Sequence, residues 1–476
     1  MVSLNTPLCN FGWKAKPFNL LGVDDKSWTL DKAKGEKGLL IMFICNHCPY
    51  VKAILPRLIN NLSELNKYGI NSIAISSNDV VFNEANSPKG IILSKTKNNA
   101  SWTHRNGDMQ HSINHPDLNK DFQVIWSSKI GAGNTRKTRI TSEPIIASDM
   151  IFVMDSKSKV SGFSLDGSPI WSKSLVPSKE HANDASGGGL AFAGGTVYAV
   201  TGFGDVFSLN SKTGTLNWKR RLGSPITAAP SVDKKFIYLV TRDNSAWALN
   251  ISTGSIEWFR NGSPSSSTIV GGAGPAVTDR LVIIPSSSGE LVVALKDSGL
   301  MLWNKFITGQ RVGQGYANIP DITSDPVVKG GVVYVGNQSG SILALDVNSG
   351  SVYWSFNEGS YSPVWVDLDS VFLITDKSEL IRLDRKSGSK VWGVKLPYYL
   401  NSNRQKRNRV FVHYGPVLAG GMLIVSSANG KIHKYDPLNG DYKGFVLVKG
   451  GVASSPVIAN KTLYLITNQG KLVALR

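Results

Sequence analysis

The chain has 476 residues, of which 47 are glycine, 41% are hydrophobic and 18% are charged. This composition excludes a disordered or fibrous protein and is typical of a globular one with many tight turns. The formal net charge of +18 raises nucleic acid, an anionic membrane or an acidic protein as partners. The densest basic cluster, between Arg404 and Arg409, has no interleaved aromatic residues to stack on bases, so we expect no nucleic-acid partner.

No targeting segment is recognisable at the start of the chain. Met1 to Lys14 lacks a basic stretch followed by an apolar one, so no secretory signal is predicted. The longest apolar run, Gly38 to Cys45, is too short to span a bilayer. On these grounds alone the cytoplasm stays open as a location for the chain as written.

Residues 1–90 show a βαβ pattern around a pair of cysteines. Strand-like segments at Gly38 to Ile44 and Ile70 to Ser76 flank a helical one that begins at Pro49. Cys45-Asn-His-Cys48 lies at the start of that helix, whose N-terminus stabilises a thiolate. The motif predicts thiol-disulfide chemistry. We expect no metal here, because a zinc site built on these cysteines and the histidine between them lacks a fourth ligand.

The same region resembles thioredoxin-like proteins of the AhpC/TSA family. The resemblance is carried by Phe43 to Lys52, by Ser76 to Asp79 and by Ser87-Pro88. It implies that Cys45 is the nucleophile and Cys48 the resolving thiol. Because the similarity stops near Gly90, before the second half of such a fold, we expect residues 1–90 to be a truncated thioredoxin-like α/β fragment. Residues 91–121 are predicted to be a linker that leads into the next domain.

The rest of the chain, residues 122–476, is built from an internal repeat. Each unit has a proline followed by apolar residues, a Gly-containing turn, an alternating strand that often ends in Ala-Leu-Asp, then Ser/Thr-Gly and a tryptophan four residues after that glycine. Copies begin near Pro144, Leu190, Pro230, Pro275, Pro326, Pro363, Pro416 and Pro456. Eight such units of about four strands, none able to bury both faces alone, predict a mainly β protein with an eight-bladed β-propeller.

The repeated tryptophan is predicted to pack as a wedge between neighbouring blades, since repeat spacing is first a packing signature. The set is Trp126, Trp171, Trp218, Trp258, Trp303, Trp354 and Trp392. An alternative hypothesis, that these aromatic residues form repeated ligand sites, stays open. The eighth copy ends at Arg476 without a tryptophan strand, whereas the strand of Trp126 has no blade before it. We therefore expect that strand to complete the last blade and close the ring.

The repeat signature resembles that of the pyrroloquinoline quinone (PQQ) enzymes, and two functional branches follow. In the enzymes the resemblance implies a quinone held over calcium, an Asp base and usually a pair of adjacent cysteines, and no two cysteines are adjacent here. The other branch is the BamB family of outer-membrane β-barrel assembly lipoproteins. The motifs similar to that family are Trp102 with Asn106-Gly107 and His111, Arg139-Ile-Thr, Gly187 to Gly195, Thr201 to Gly204, Arg221 to Pro225 and Gly271 to Pro275.

Resemblance to the BamB family implies a non-enzymatic protein-binding scaffold that needs no cofactor. It implies that loops near Ser267 to Gly271 and Asn318 to Asp325 bind the periplasmic domains of BamA, the barrel-inserting subunit, together with other assembly subunits. Ile269 and Asp321 stand where the family has contacting residues. The resemblance also implies the periplasmic face of the outer membrane, with membrane association only through partners or a lost lipid anchor.

Three functions follow from the two halves of the chain, which we interpret as a fusion. The first is the outer-membrane assembly scaffold, and the second is a thiol oxidoreductase or peroxiredoxin-like protein with an appended propeller. The third, a PQQ-dependent dehydrogenase, is the least favoured.

Overall fold

The computed structural model describes residues 12, 17–22, 26–44, 49–76, 91–265, 271–307, 309, 319–399 and 410–476. The chain divides into two compact units, Met1–Ser87 and Pro88–Arg476. Each is described here by itself.

The first unit contains a parallel strand pair with a crossover helix. Its elements are β1 Asn19–Leu21, β2 Ser27–Thr29, α1 Leu30–Ala33, β3 Gly38–Ile44, α2 Pro49–Lys67 and β4 Ile70–Ser76. Strands β3 and β4 are parallel and in register along their whole length, so the predicted βαβ unit is confirmed. Among the described residues of this unit, Ala33 is the only buried hydrophobic one, and Phe43 is 72% exposed. The small sheet therefore leaves apolar side chains in solvent, as half of a thioredoxin-like sheet must.

The second unit consists of eight four-stranded antiparallel sheets, which confirms the predicted eight-bladed propeller. Blades 1 to 4 are β6 Ile145–Ala147, β7 Met150–Met154, β8 Lys159–Ser164, β9 Pro169–Ser174; β10 Gly188–Ala193, β11 Thr196–Thr201, β12 Asp205–Asn210, β13 Leu216–Arg221; β14 Ser231–Val232, β15 Phe236–Val240, β16 Ala246–Asn250, β17 Ile256–Arg260; and β18 Ala276–Val277, β19 Leu281–Pro285, β20 Glu290–Leu295, β21 Met301–Phe306. Blades 5 to 8 are β22 Val327–Lys329, β23 Val332–Asn337, β24 Ser341–Asp346, β25 Val352–Phe356; β26 Trp365–Asp367, β27 Ser370–Ile374, β28 Glu379–Asp384, β29 Lys390–Lys395; β30 His413–Ala419, β31 Met422–Ser427, β32 Lys431–Tyr435, β33 Tyr442–Leu447; and β34 Val457–Ala459, β35 Thr462–Ile466, β36 Lys471–Leu475 with β5 Val124–Lys129.

Burial follows the order of strands within a blade. In blade 1, β7 is buried at every position, whereas the outermost strand β9 alternates between exposed and half-buried residues. Inner strands lie between two neighbouring blades and must be apolar on both faces, while the outer strand meets solvent. The core therefore sits between blades rather than within any one of them.

The ring closes through the strand that precedes the first complete blade. β5 pairs antiparallel with β36, with Trp126 opposite Ala474, which confirms the predicted closure. In the irregular seventh blade the outer strand also forms, with Phe445 opposite His433. Blade 5 has Trp354 opposite Ala344 at the same place. Blade 7 therefore has a smaller aromatic ring on its outer strand and a larger side chain on the neighbouring strand.

Candidate partner-binding face and central plug

Each wedge tryptophan packs its ring against a glycine of the next blade, and six of the seven also donate an indole hydrogen bond to that blade. Trp354 Nε1 donates to the carbonyl oxygen of Arg385 at 2.9 Å, and a Cβ added to Gly388 would stand 2.5 Å from the ring of Trp354. Trp126 packs in the same way against Gly167. The other indole donors that reach the equivalent turn of the following blade belong to Trp171, Trp218, Trp258, Trp303 and Trp392. Interblade contacts thus occupy these side chains, which disfavours the repeated ligand sites.

Residues 94–118, which the sequence places in a linker, fill the centre of the ring, and we call them the central plug. Trp102, fully buried, forms a β-bridge with Ile146 of the innermost strand of blade 1. Hydrogen bonds extend from the plug to the inner strand or first turn of every blade, at Ile146, Phe192, Val232, Val277, Val328, Asp367, Gly420 and Asn460. The plug therefore holds the eight blades together along the axis.

The plug contains a tight turn at Thr103–Gly107. There Arg105 Nε lies 3.0 Å from Asp325 Oδ2, and Arg105 Nη1 donates to the carbonyl oxygen of Gly272 at 2.9 Å. Asp325 Oδ1 accepts from the backbone N–H of Gly274 at 2.7 Å. The neighbouring Asn106 donates from Nδ2 to Asp325 Oδ2 at 2.5 Å.

These contacts fix the ends of the two loops that carry the predicted partner-binding residues. Gly272 and Gly274 follow the loop of Ile269, and Asp325 ends the loop of Asp321. Asp321 itself is 3% exposed. Ile269, Cys45 and Cys48 lie outside the described residues.

Burial determines the ionisation of the groups in the channel. It raises the pKa of Glu143, an effect that the nearby Arg105 opposes, and it lowers the pKa of His104 to about 4. The ring of His104 is held by contacts with Thr103 Oγ1 at 2.8 Å and with Val232 O at 2.9 Å. Burial thus favours the neutral form of both side chains more than water does, and at His104 the lowered pKa keeps the imidazole neutral near pH 7.

A cavity of about 20 Å³ lies beside Trp102, Asn106 and Glu143, which is near the size of one water molecule. No group of three or more His, Cys, Asp or Glu that could hold a metal occurs within the described ranges. In that same part of the chain, no helix combines the length and the apolar character needed to cross a membrane.

The sequence did not predict the roles of Arg105, Asp325 and Glu143. One signal was available, because Glu143-Pro144 and Asp325-Pro326 place a carboxylate directly before the repeat proline, where most other copies have a small residue. A charge at a position that the repeat buries indicates a buried partner.

The fold places this chain in the class of eight-bladed propellers built from PQQ-like repeats. Here the central plug fills the channel of the propeller. The family profile described as "Outer membrane protein assembly factor BamB" matches residues 156–394. The chain therefore belongs to the BamB family. At its other end, the profile of the AhpC/TSA family matches residues 11–104.

Curated relatives support this assignment over most of their length. The chain is 27% identical to outer membrane protein assembly factor BamB of Salmonella typhimurium over 367 residues, 76% of this chain and 91% of the relative. It is 27% identical to the Escherichia coli K12 protein of the same name over 359 residues, 74% of this chain and 88% of the relative.

Solved structures show the same fold. BamB from Moraxella catarrhalis superposes with a TM-score of 0.61 at 20% identity, covering 75% of this chain and all of that one. A quinohemoprotein alcohol dehydrogenase from Pseudomonas putida also gives 0.61, at 13% identity, covering 79% of this chain and 80% of that one. At these identities both show the fold alone.

Proposed function

We propose that the propeller is a non-enzymatic protein-binding scaffold of outer-membrane β-barrel assembly, working at the periplasmic face of the outer membrane. The observation that carries this is the membership of the BamB family, with relatives matched over about nine-tenths of their length. Its partners are the periplasmic domains of a BamA-like subunit and further subunits of the assembly machinery.

The plug supports a binding role for the loops that end at Gly271–Gly274 and Asp321–Asp325. Arg105 and the buried carboxylate of Asp325 together hold the backbone at the ends of both loops. Both loops are therefore anchored to a rigid part of the propeller. Rigid loop ends lower the entropy lost when a partner binds.

Calorimetric titration of the full chain with purified periplasmic domains of the BamA-like subunit tests the proposal. We expect saturable binding that Ile269→Asp weakens about tenfold or more, since a central interface residue contributes more than about 1 kcal/mol. The matched control is Ile170→Asp, which changes an exposed isoleucine on the outer strand of blade 1. Absence of binding, or equal weakening by both substitutions, contradicts the proposal.

Asp321 is proposed to contribute to the same interface through the backbone that follows its loop. Its side chain is buried, and the next residue, Ile322, forms a bridge with Asn337. Asp321→Ala should therefore weaken partner binding less than Ile269→Asp does. A larger loss at Asp321 would indicate a direct contact instead.

Thiol chemistry at Cys45 and Cys48 stays a prediction, supported by the AhpC/TSA profile. Turnover of a disulfide or hydroperoxide by the full chain, abolished by Cys45→Ser, would support it. Turnover that survives Cys45→Ser would exclude Cys45 as the nucleophile.

A further inference from the structure

Eight cationic residues lie on neighbouring loops of blades 7, 8 and 1, on the face where successive blades connect. We call this surface the basic loop face, and it comprises residues 130–139, 155–159, 427–431, 448–452 and 467–471. Its cations, all exposed or half-buried, are Arg136, Lys137, Arg139, Lys157, Lys159, Lys431, Lys449 and Lys471.

Hydrogen bonds join these loops into one continuous surface. Asn468 Nδ2 donates to the carbonyl oxygen of Ala428 at 3.2 Å. The carbonyl oxygen of Asn468 accepts from the backbone N–H of Asn134 at 2.8 Å, and that of Ala132 accepts from Ser156 at 3.3 Å. The cations of three blades are therefore held on one fixed surface.

The charge of this surface is not neutralised from within. Among the described residues, none of the eight cations forms an ion pair. The one carboxylate in these loops, Asp155, is buried and accepts hydrogen bonds from the backbone N–H groups of Ala132, Lys157 and Lys159. Lys471 also stands directly opposite Lys129 across two paired strands, an arrangement that like charges make unfavourable.

The opposite face of the same blades has a different character. There Lys434 lies 3.6 Å from Asp121, and Lys443 lies 3.4 Å from Asp436. A third cation, Lys461, lies 3.3 Å from Asp117. A surface that is cationic only for solubility would carry mixed charge on both faces, so the clustering of eight unpaired cations on this face of blades 7, 8 and 1 points to a ligand.

We propose that the basic loop face binds an acidic segment of a protein partner, one rich in aspartate and glutamate. None of the exposed large hydrophobic residues of the described chain falls in these loops, so the face lacks the apolar side chains that anchor proteins in a membrane interface. It also lacks aromatic residues to stack on bases. Carboxylates suit a surface of unpaired lysine and arginine side chains, because both cations form charge-assisted hydrogen bonds with them.

This surface is built from other blades than the loops proposed for the BamA-like subunit. Those loops connect blades 3 to 4 and 4 to 5, whereas the basic loop face belongs to blades 7, 8 and 1 across the ring. The inference therefore goes beyond the proposed function and does not depend on it.

Fluorescence anisotropy of a labelled peptide of alternating Asp and Glu, titrated with the full chain, tests the proposal. The variant carries Lys137→Gln, Lys157→Gln, Lys449→Gln and Lys471→Gln. The control carries Lys120→Gln, Lys212→Gln, Lys234→Gln and Lys386→Gln, four exposed lysines of the opposite face, and changes the net charge equally. We expect about tenfold weaker binding for the variant and less than about twofold for the control, with binding that weakens as salt is added.

Two parallel titrations identify the occupant, one with phosphatidylglycerol vesicles and one with single-stranded oligothymidine. Peptide binding that fails to occur, or that falls equally in both variants, overturns the proposal. Vesicle or oligothymidine binding that the basic-face variant abolishes, while peptide binding is unchanged, assigns the surface to lipid or nucleic acid and also overturns it.

Discussion

Arg105 and Asp325 are distant in sequence, yet they form an ion pair in the channel, and each also makes hydrogen bonds to the backbone. Asp325 is fully buried at its side chain, and its two oxygens accept from Arg105, Asn106 and the backbone of Gly274. A buried carboxylate with this many donors stabilises the fold through the complete set of contacts rather than through the pair alone.

Asp325→Ala should lower the free energy of unfolding by about 3 kcal/mol or more, because it leaves the Arg105 guanidinium without its charge partner inside the protein. Denaturant titration followed by tryptophan fluorescence measures this. The control is Asp297→Ala, which removes an exposed partner lying 3.9 Å from Lys235 and should cost less than about 1 kcal/mol. Similar losses for the two variants would contradict the role of the channel pair.

His104 makes stability depend on pH. Burial lowers its pKa from 6.5 to about 4. Between these two pH values the imidazole is protonated in the unfolded chain and neutral in the folded chain. Its contribution is complete above pH 6.5 and is lost as the pH falls toward 4, by up to about 3 kcal/mol. Unfolding titrations of parent and His104→Gln chains across this range measure the difference. A parallel pH dependence in both chains would exclude His104 as its source.

At the scale of elements, the joint between blades pairs a glycine with a tryptophan ring. A Cβ at Gly350, where φ is +71°, would stand 2.8 Å from Trp303. Gly331 has a similar φ of +79° and open space around it. The two positions therefore separate the cost of backbone conformation from the cost of the interblade contact.

Gly331→Ala should lower the free energy of unfolding by about 1 to 2 kcal/mol, the cost of a left-handed alanine. Gly350→Ala should cost about 2 kcal/mol more, because the ring of Trp303 must move as well. Thermal unfolding of both variants provides the comparison. Equal losses would mean that the joint tolerates an added methyl group.

The elements that sequence predicted are those whose signals are local. The repeat proline, the Gly-Trp step and the unmatched strand of Trp126 sufficed for eight blades and their closure. The sequence indicates only a linker at the plug, because the hydrogen bonds of the plug go to eight separate blades and leave no period in the sequence. The pairing of Arg105 with Asp325 likewise requires knowledge of how the segment enters the ring. The concentration of cations on one face becomes visible only when each turn is assigned to a face.

At the scale of the whole molecule, the two units differ in how much apolar surface they bury. Strand β23 of the propeller is buried from Val333 to Asn337, whereas among the described residues of the first unit Ala33 is the only buried hydrophobic one. Local stability follows buried contacts, so the units should differ in dynamics.

Backbone amides of β3 and β4 in the first unit should exchange with solvent much faster than those of β23 and β35 in the propeller. Hydrogen–deuterium exchange of the full chain, followed by mass spectrometry, measures both at once. Comparable protection in the two units would show that the first unit gains stability beyond its own described contacts.

The same exchange measurement, repeated with the periplasmic domains of the BamA-like subunit added, tests the scaffold function most directly. We expect new protection in residues 261–275 and 307–326, the loops whose ends Arg105 and Asp325 hold, with the outer strands unchanged. Protection confined to other blades, or no protection at a saturating concentration of the partner, would contradict the account.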